Sequence, residues 1–202
     1  MAPDRWWRGF DDLLLRALPA RARVLDVGCG DGALVERLAS AGLDAVGVDP
    51  NAPAGPRFVR ERVEDVEGIG RFDGVCSVMA LHHAELEPVL TAVAGLLRPG
   101  GLLFVSEFSW ESYDERAAEW VAAHDPDRDG SVAAWREEHD HLHPGDSVRA
   151  ALDEGFEALS LAAWPYLARM IGKHELEGAE HAAIERERLP AIGWWYRGAA
   201  RA

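Results

Sequence analysis

The chain has little that would fix it covalently or tie it to a membrane. Only two cysteines, Cys29 and Cys76, occur in 202 residues, too few for a disulfide framework, and neither has metal-ligand spacing. Reduced thiols and a cytoplasmic location are therefore expected. No run approaches the roughly 18 apolar residues of a membrane span. The opening "MAPDRWWRGFDDLLLRALP" has acids on both sides of its apolar residues, so no targeting segment is expected there. Positive charge is scarce: 21 basic residues face 35 acidic ones, for a formal net charge of −14. Such a surface repels phosphate backbones and anionic membranes, which excludes nucleic acid and membrane as expected partners. Internal repeats and low-complexity segments are absent.

What remains is ordinary for a soluble domain, with 48% hydrophobic and 28% charged residues, and the length suits one domain. Residues 5–18 have helical spacing, with Trp7, Phe10, Leu14 and Leu18 on one face before Pro19. Strand and helix signals then alternate. Strands are predicted at 23–28, 44–50, 57–61, 72–83 and 102–110, with helices at 32–42 and 85–97. That alternation implies a parallel sheet with right-handed crossovers, an α/β class. Beyond residue 110 the pattern changes. Helices are predicted at 112–125, 131–143 and 145–155, and "FEALSLAAWPYL" and "GWWYRG" read as a pair of strands at the edge of the sheet. The connection after the fifth strand is the longest, and such insertions usually carry a substrate pocket.

The stretch "VLDVGCGDGA" (24–33) bends the chain so that bare backbone meets a ligand. Gly28-x-Gly30-x-x-Ala33 satisfies the dinucleotide fingerprint, and Asp49, about 20 residues on, could accept from a ribose diol. The loop alone is ambiguous between a dinucleotide and another adenosine ligand. Asp26, two residues before the first glycine, disfavours a pyrophosphate and suits a ligand bearing an ammonium group. S-adenosylmethionine has that group, a sulfonium and no phosphate.

"VLDVGCGDG" closely resembles the first motif of class I S-adenosylmethionine-dependent methyltransferases, and "VGVDPN" resembles their second. "FDGVCSVMALHH", followed by "LLRPGGLLFVSEF", is similar to the fourth and fifth strands of the small-molecule branch that includes ubiquinone-type enzymes. The resemblance runs from residue 20 to 108. It implies a Rossmann-like fold with a seven-stranded mixed sheet in the order 3-2-1-4-5-7-6, helices on both faces and a helical lid. It divides one domain into a lid helix (1–19), a cofactor-binding core (20–110), a helical insertion or lid (111–143) and a final helix with edge strands (144–202).

The same resemblance implies that Asp26 lies near the methionine amino group and that Gly28, Cys29 and Gly30 form the loop around the cofactor. Asp49 would hold the ribose, Pro50 would pack near the adenine, and Ser77 and Val78 would line the methionine side. One position departs from the family: Arg62 stands where an Asp usually reads the adenine edge. Val63 then supplies a backbone amide, and Glu61 or Glu64 could replace the missing carboxylate.

Methyl transfer rests mainly on holding the acceptor in line, with a base needed when the acceptor must lose a proton. His82 and His83 are the candidates, since they end the fourth strand and histidine titrates near neutral pH. In "WREEHDHLH" (135–143) a helix would put His139 and His143 on one face and His141 opposite. Three ligands cannot converge from that arrangement, so no metal is expected, and His139 and His143 are read as pocket lining. Eight tryptophans are many for this length. Trp6, Trp7, Trp110, Trp120, Trp135 and Trp164 fall in the first helix or the cap region, with Trp7, Trp110 and Tyr113 the candidates for holding a flat or apolar acceptor. Trp194 and Trp195 are expected to pack within the sheet. Neither Asn-Pro-Pro-Tyr nor Asp-Pro-Pro-Tyr follows the fourth strand, and Cys76 lies within a strand, so a small-molecule acceptor is expected over a base in nucleic acid. Oxygen methylation is favoured over nitrogen or carbon. The alternative is a catalytically silent member of the fold that binds cofactor or supports an active partner, and a homodimer is compatible with either.

Overall fold

The computed structural model describes residues 9–201. Among them, seven strands form one sheet in the order β3-β2-β1-β4-β5-β7-β6. Strands β1 (Arg23–Val27), β2 (Asp44–Val48), β3 (Phe58–Val59), β4 (Phe72–Val78) and β5 (Leu97–Phe108) run parallel. β7 (Gly193–Ala200) lies antiparallel between β5 and β6 (Phe156–Trp164). Chain order reverses between β1 and β4, and the crevice outside the carboxyl ends of such strands is where open α/β sheets take ligands.

Helices cover both faces, which is why the parallel strands read as unbroken apolar runs. Successive residues of β1 point to opposite sides. Val24 joins a core with Phe10 and Leu14 of α1 (Phe10–Ala17) and with Leu34 and Leu38 of α2 (Ala33–Ser40). Leu25 joins a core with Leu90 and Val93 of α3 (Leu86–Leu96) and Leu152 of α6 (Gly145–Gly155). A third core sits apart. Phe108, Tyr113, Val121, Trp135, Leu142, Leu167 and Ile192 cluster where α4 (Glu115–His124), α5 (Val132–His139) and α7 (Leu167–Met170) meet the end of β5. α8 (Glu177–Glu185) completes the segment between β6 and β7.

Several expected elements are shorter than their patterns, among them the fourth strand, which ends at Val78 and leaves His82 and His83 on a following turn. The first helix begins at Phe10, because Gly9 sits in left-handed geometry at φ 90°; Trp6 and Trp7 lie outside the described residues. The third strand pairs over only two residues, Gly47 with Phe58 and Val48 with Val59, after which Arg60 Nε turns to donate to the Ala52 carbonyl at 2.6 Å. The helix expected to reach residue 143 stops at His139. Leu142 N–H closes a turn onto the His139 carbonyl, and Pro144 disfavours helical geometry in the residue before it. His139 and His143 therefore share no helical face.

Candidate active site

The loop from β1 into α2 has three left-handed glycines, Gly28, Gly30 and Gly32, at φ 74°, 51° and 81°. A Cβ on Gly28 would stand 2.4 Å from the Ala80 methyl, whereas one on Gly30 would meet nothing within 4 Å. The first glycine thus lets the loop pack against the exit of β4, and the second faces open space. The loop is hung from the next strand: Gly28 and Cys29 N–H donate to the Val48 carbonyl at 2.9 and 3.3 Å. Asp49 ends β2 and is half-buried. Its Oδ2 accepts from Gly30 N–H at 3.1 Å and its Oδ1 from Asn51 N–H at 2.7 Å.

Gly28, Gly30, Val48, Asp49, Asn51 and Ala80 border a cleft of about 850 Å³, which also takes in Pro50, Glu61, Arg62, Val63, Glu64, Met79, Leu81 and His83. Arg62 is exposed and paired with Glu64, its Nε 2.6 Å from Oε1. Asp26, Cys29, Ser77 and Val78 lie behind the loop, and the residues that border the cleft do not include them. Asp26 is 3% exposed, and burial pushes its carboxyl up to about 7 against the opposing pull of the Cys76 thiol; that thiol stands 3.6 Å from Oδ1. Burial pushes the Cys29 thiol up to about 12, with the Asp26 and Asp49 charges adding to it. Ser77 Oγ donates to the Val27 carbonyl at 3.0 Å, stitching β4 to β1.

At the other end of the cleft, β4 leaves the sheet through Met79, a non-glycine at φ 53°, then a single 3-10 turn, Leu81–His83. The turn separates the two histidines. His83 is exposed at the cleft, and burial of its ring, reinforced by His82, lowers its pKa below the usual histidine value. His82 is 5% exposed, and its Nδ1 lies 2.7 Å from Glu107 Oε2. Met79 also borders a second, small cavity of about 20 Å³, room for roughly one water. Its walls include Glu107, Trp164, Tyr166, Arg169 and Trp195. Arg169 is buried, paired with Glu177 at 3.2 Å and set over the Trp164 ring.

Of the four described residues expected to line an acceptor pocket, Trp110, Tyr113 and His139 gather in or against the third core, and none of the four borders the cleft. Tyr113 donates its hydroxyl to the Gly130 carbonyl at 2.6 Å and stacks on Trp135 at 4.4 Å; burial pushes its pKa up to about 12. His139 bonds the Trp135 carbonyl through Nδ1 at 2.8 Å and stacks on the same ring at 3.9 Å. Trp110 is half-buried, and its carbonyl accepts from Trp135 Nε1 at 2.8 Å. His143 is exposed, and its backbone N–H donates to the His82 carbonyl at 3.0 Å. Trp7 lies outside the described residues. No group of three or more His, Cys, Asp or Glu among the described residues is placed to hold a metal.

Sequence reasoning passed over Glu107, Arg169 and Glu180. Each is a charge inside an apolar stretch ("FVSEFSW", "YLARM", "EGAEHAAI"), which was the available signal, since buried charges must find partners. Glu180 accepts from the Tyr166, Leu167 and Ala168 amides at 2.8–2.9 Å and so anchors α7.

The geometry fits an adenosine ligand with an amino-acid tail. The loop presents backbone without side chains, a carboxylate sits at its adenosine end, and the cleft volume lies in the range of cofactor sites. Comparison with known proteins agrees. A family profile described as a methyltransferase domain matches residues 4–161. The chain belongs to this family, the S-adenosylmethionine-dependent methyltransferases with a class I fold. The ubiquinone biosynthesis O-methyltransferase of Xanthomonas axonopodis pv. citri is 39% identical over 107 residues, 45% of each chain. The biotin biosynthesis bifunctional protein BioCD of Bordetella avium is 32% identical over 155 residues, 69% of this chain and 31% of that one. The chain thus spans less than half the length of these curated relatives. Among solved structures, the N-methyltransferase NodS of Bradyrhizobium japonicum, in complex with S-adenosyl-L-homocysteine, superimposes with a TM-score of 0.59 at 15% identity, over 99% of this chain and 90% of that one. The 1,6-didemethyltoxoflavin-N1-methyltransferase of Burkholderia thailandensis reaches 0.63 at 18% identity, over 98% of this chain and 80% of that one. At such identities the likeness is one of fold.

Proposed function

We propose that this chain transfers a methyl group from S-adenosylmethionine to an oxygen of a small metabolite. The observation that carries the reading is the glycine loop hung between Val48 and Asp49, opening onto one large cleft whose far end is the exit of β4. Gly28 and Gly30 let the backbone approach the cofactor, Asp49 accepts from its ribose, and Pro50, Val63 and Glu64 border the adenine. Asp26, Ser77 and Val78 support the loop from behind. When bound, S-adenosylmethionine supplies an electrophilic methyl on a sulfonium. The chain's own work is to hold the acceptor in line and to manage its proton. His83 stands at the end of the cleft where that proton would be taken, with the His82 ring buried beside it at 4.2 Å.

Oxygen as the acceptor is supported by the imidazoles at the methyl end and by the names of the Xanthomonas relatives. The helices α4 and α5 act as a cap over that end. Their third core is tied to the site by the His143 N–H bond to the His82 carbonyl. A small acceptor is also supported by charge, since −14 overall repels polyanions.

Calorimetric titration with S-adenosylhomocysteine and, separately, with NAD tests the core of this reading. Micromolar binding of the first alone is expected. Asp49→Ala should weaken it by tenfold or more, on the order of 1.4 kcal/mol, because the change removes the ribose acceptor and frees the Gly30 amide. Binding of neither ligand would move the chain to the catalytically silent alternative; binding of NAD would overturn the assignment.

A further inference from the structure

β6 is the last strand of the sheet, and among the described residues nothing pairs with its outer edge. An unpaired edge is a template for another strand, and proteins usually blunt it with a charge, a proline or a covering element. β6 has no such protection over most of its length. Residues 157–163 are exposed without a break, and from Ala158 to Ala163 none carries a charge. Leu159 is 45% and Leu161 55% exposed; with Leu15 on α1 they are the exposed large apolar side chains among the described residues. A bulge sets Leu159 outside the ladder to β7, but it brings no charge to the edge.

The charge pattern selects the occupant and its direction. A net charge of −14 repels a second copy over most of the surface, and the β6 edge is a stretch where two copies meet without opposing charges. Asp153, Glu154 and Glu157 are exposed around the start of β6, whereas Ala163 and Trp164 stand at its end. Parallel pairing of two copies would bring the acidic ends together. Antiparallel pairing lays each acidic end against the uncharged end of the other. The strand also matches itself about Ser160. Paired there, Leu159 faces Leu161 of the second copy, Ala158 faces Ala162, and Glu157 faces Ala163. A twofold contact, in which the same patch serves both copies, demands such a self-match.

We propose that the outer edge of β6 docks a second copy of this chain, antiparallel about Ser160, so that the two sheets join into one. β6 runs parallel to β5, since each is antiparallel to β7. The twofold therefore sets the two clefts at opposite ends of the joined sheet, and neither is covered. The inference stands apart from what the cleft binds. The nine residues of β6, at ~3.4 Å each and with a sheet thickness of ~10 Å, cover about 300 Å² per copy. A standard interface takes about 800 Å² per partner. The dimer is consequently weak, with a dissociation constant on the order of 100 µM, and exchanges with the monomer.

Sedimentation velocity on the full chain, from about 5 to about 500 µM, tests it. The wild type should pass from monomer to dimer and no further, because a twofold contact closes on itself. Raising salt from roughly 0.05 to roughly 0.5 M should tighten the dimer, since it screens the repulsion between two acidic copies. Leu161→Lys puts a charge on the edge and should abolish dimerisation. That side chain is exposed, so the variant should keep its far-ultraviolet circular dichroism. Leu15→Lys, the same change on α1, should leave the dimer intact. Residues directly opposite in an antiparallel pair stand about 4.5–5.5 Å apart, within disulfide reach, so Ser160→Cys should give a covalent dimer on mild oxidation. A wild type monomeric throughout overturns the inference and leaves the edge to a foreign strand or to residues 1–8. A dimer that survives Leu161→Lys, or is lost equally in Leu15→Lys, places the contact elsewhere and overturns it as well. So does growth beyond the dimer, or a dimer that Ser160→Cys fails to link.

Discussion

Asp26 has the property least expected of an acidic side chain in an acidic protein: burial raises its pKa to about 7. The unfolded chain ionises it near the usual carboxylate range of about 4. The folded state therefore holds the proton more tightly, and stability falls as pH rises from about 4 through about 7. Asp26→Asn removes this titration while keeping an oxygen for the Cys76 thiol. The ligand-free wild type should lose stability relative to Asp26→Asn between about pH 4 and about pH 7, measured as urea midpoints. Parallel midpoints at all pH values would show that the carboxyl is ionised throughout. The neighbouring thiols are affected the same way. Burial pushes Cys29 up to about 12, and Cys76 rises well above its ordinary value, so neither is a nucleophile at neutral pH.

At the scale of elements, the site is built from chain exits. The exits of β1, β2 and β4 supply the loop, Asp49 and the histidine turn, and each is held by a partner from another strand. Gly28 shows how close these exits lie. Replacement by Ala places a methyl 2.4 Å from the Ala80 methyl at φ 74°, so the loop and the β4 exit must part. Gly28→Ala should cost about 1–3 kcal/mol and lower S-adenosylhomocysteine affinity. Gly30→Ala meets no atom of the protein and should cost only the left-handed strain, about 1–2 kcal/mol. Thermal melts and calorimetry on the two variants check the order, and equal losses would contradict the packing. Beside the small cavity, Glu180 accepts from the Tyr166 amide and from the first two amides of α7, so this four-residue helix keeps its place without help from its own length.

At the scale of the molecule, a net charge of −14 acts on the ligands as well as on partners to be excluded. S-adenosylmethionine carries one more positive charge than S-adenosylhomocysteine, and the cleft is bordered by Asp49, Glu61, Glu64 and Glu85 against Arg62. The field should draw in the charged donor and release the neutral product. Raising salt from roughly 0.05 to roughly 0.5 M screens it. S-adenosylmethionine affinity should then fall several-fold while that of S-adenosylhomocysteine changes little. An equal response of both would mean that the field plays no part. The described helices include none long and apolar enough to cross a membrane.

The resemblance of its motifs to a known family carried the sheet order, and the sequence alone marked the parallel strands, the glycine loop and the acid Asp49 after the second strand. These are local signals: an apolar run with no polar face, glycines where the backbone must turn left-handed, an acid directly after the second strand. It also marked the end of the fourth strand through His82 and His83, but not which of the two is held. That depends on Glu107, 25 residues away, which only the pairing of β4 with β5 brings to the same end of the sheet. The cap was less legible still. Tyr113, Trp135 and His139 have the composition of an acceptor wall, yet they stack on one another. A small cap needs its own aromatic core before it can offer any surface to a ligand. Whether an aromatic ring faces a ligand or a neighbour is settled by packing across distant segments, and no spacing along the chain records it.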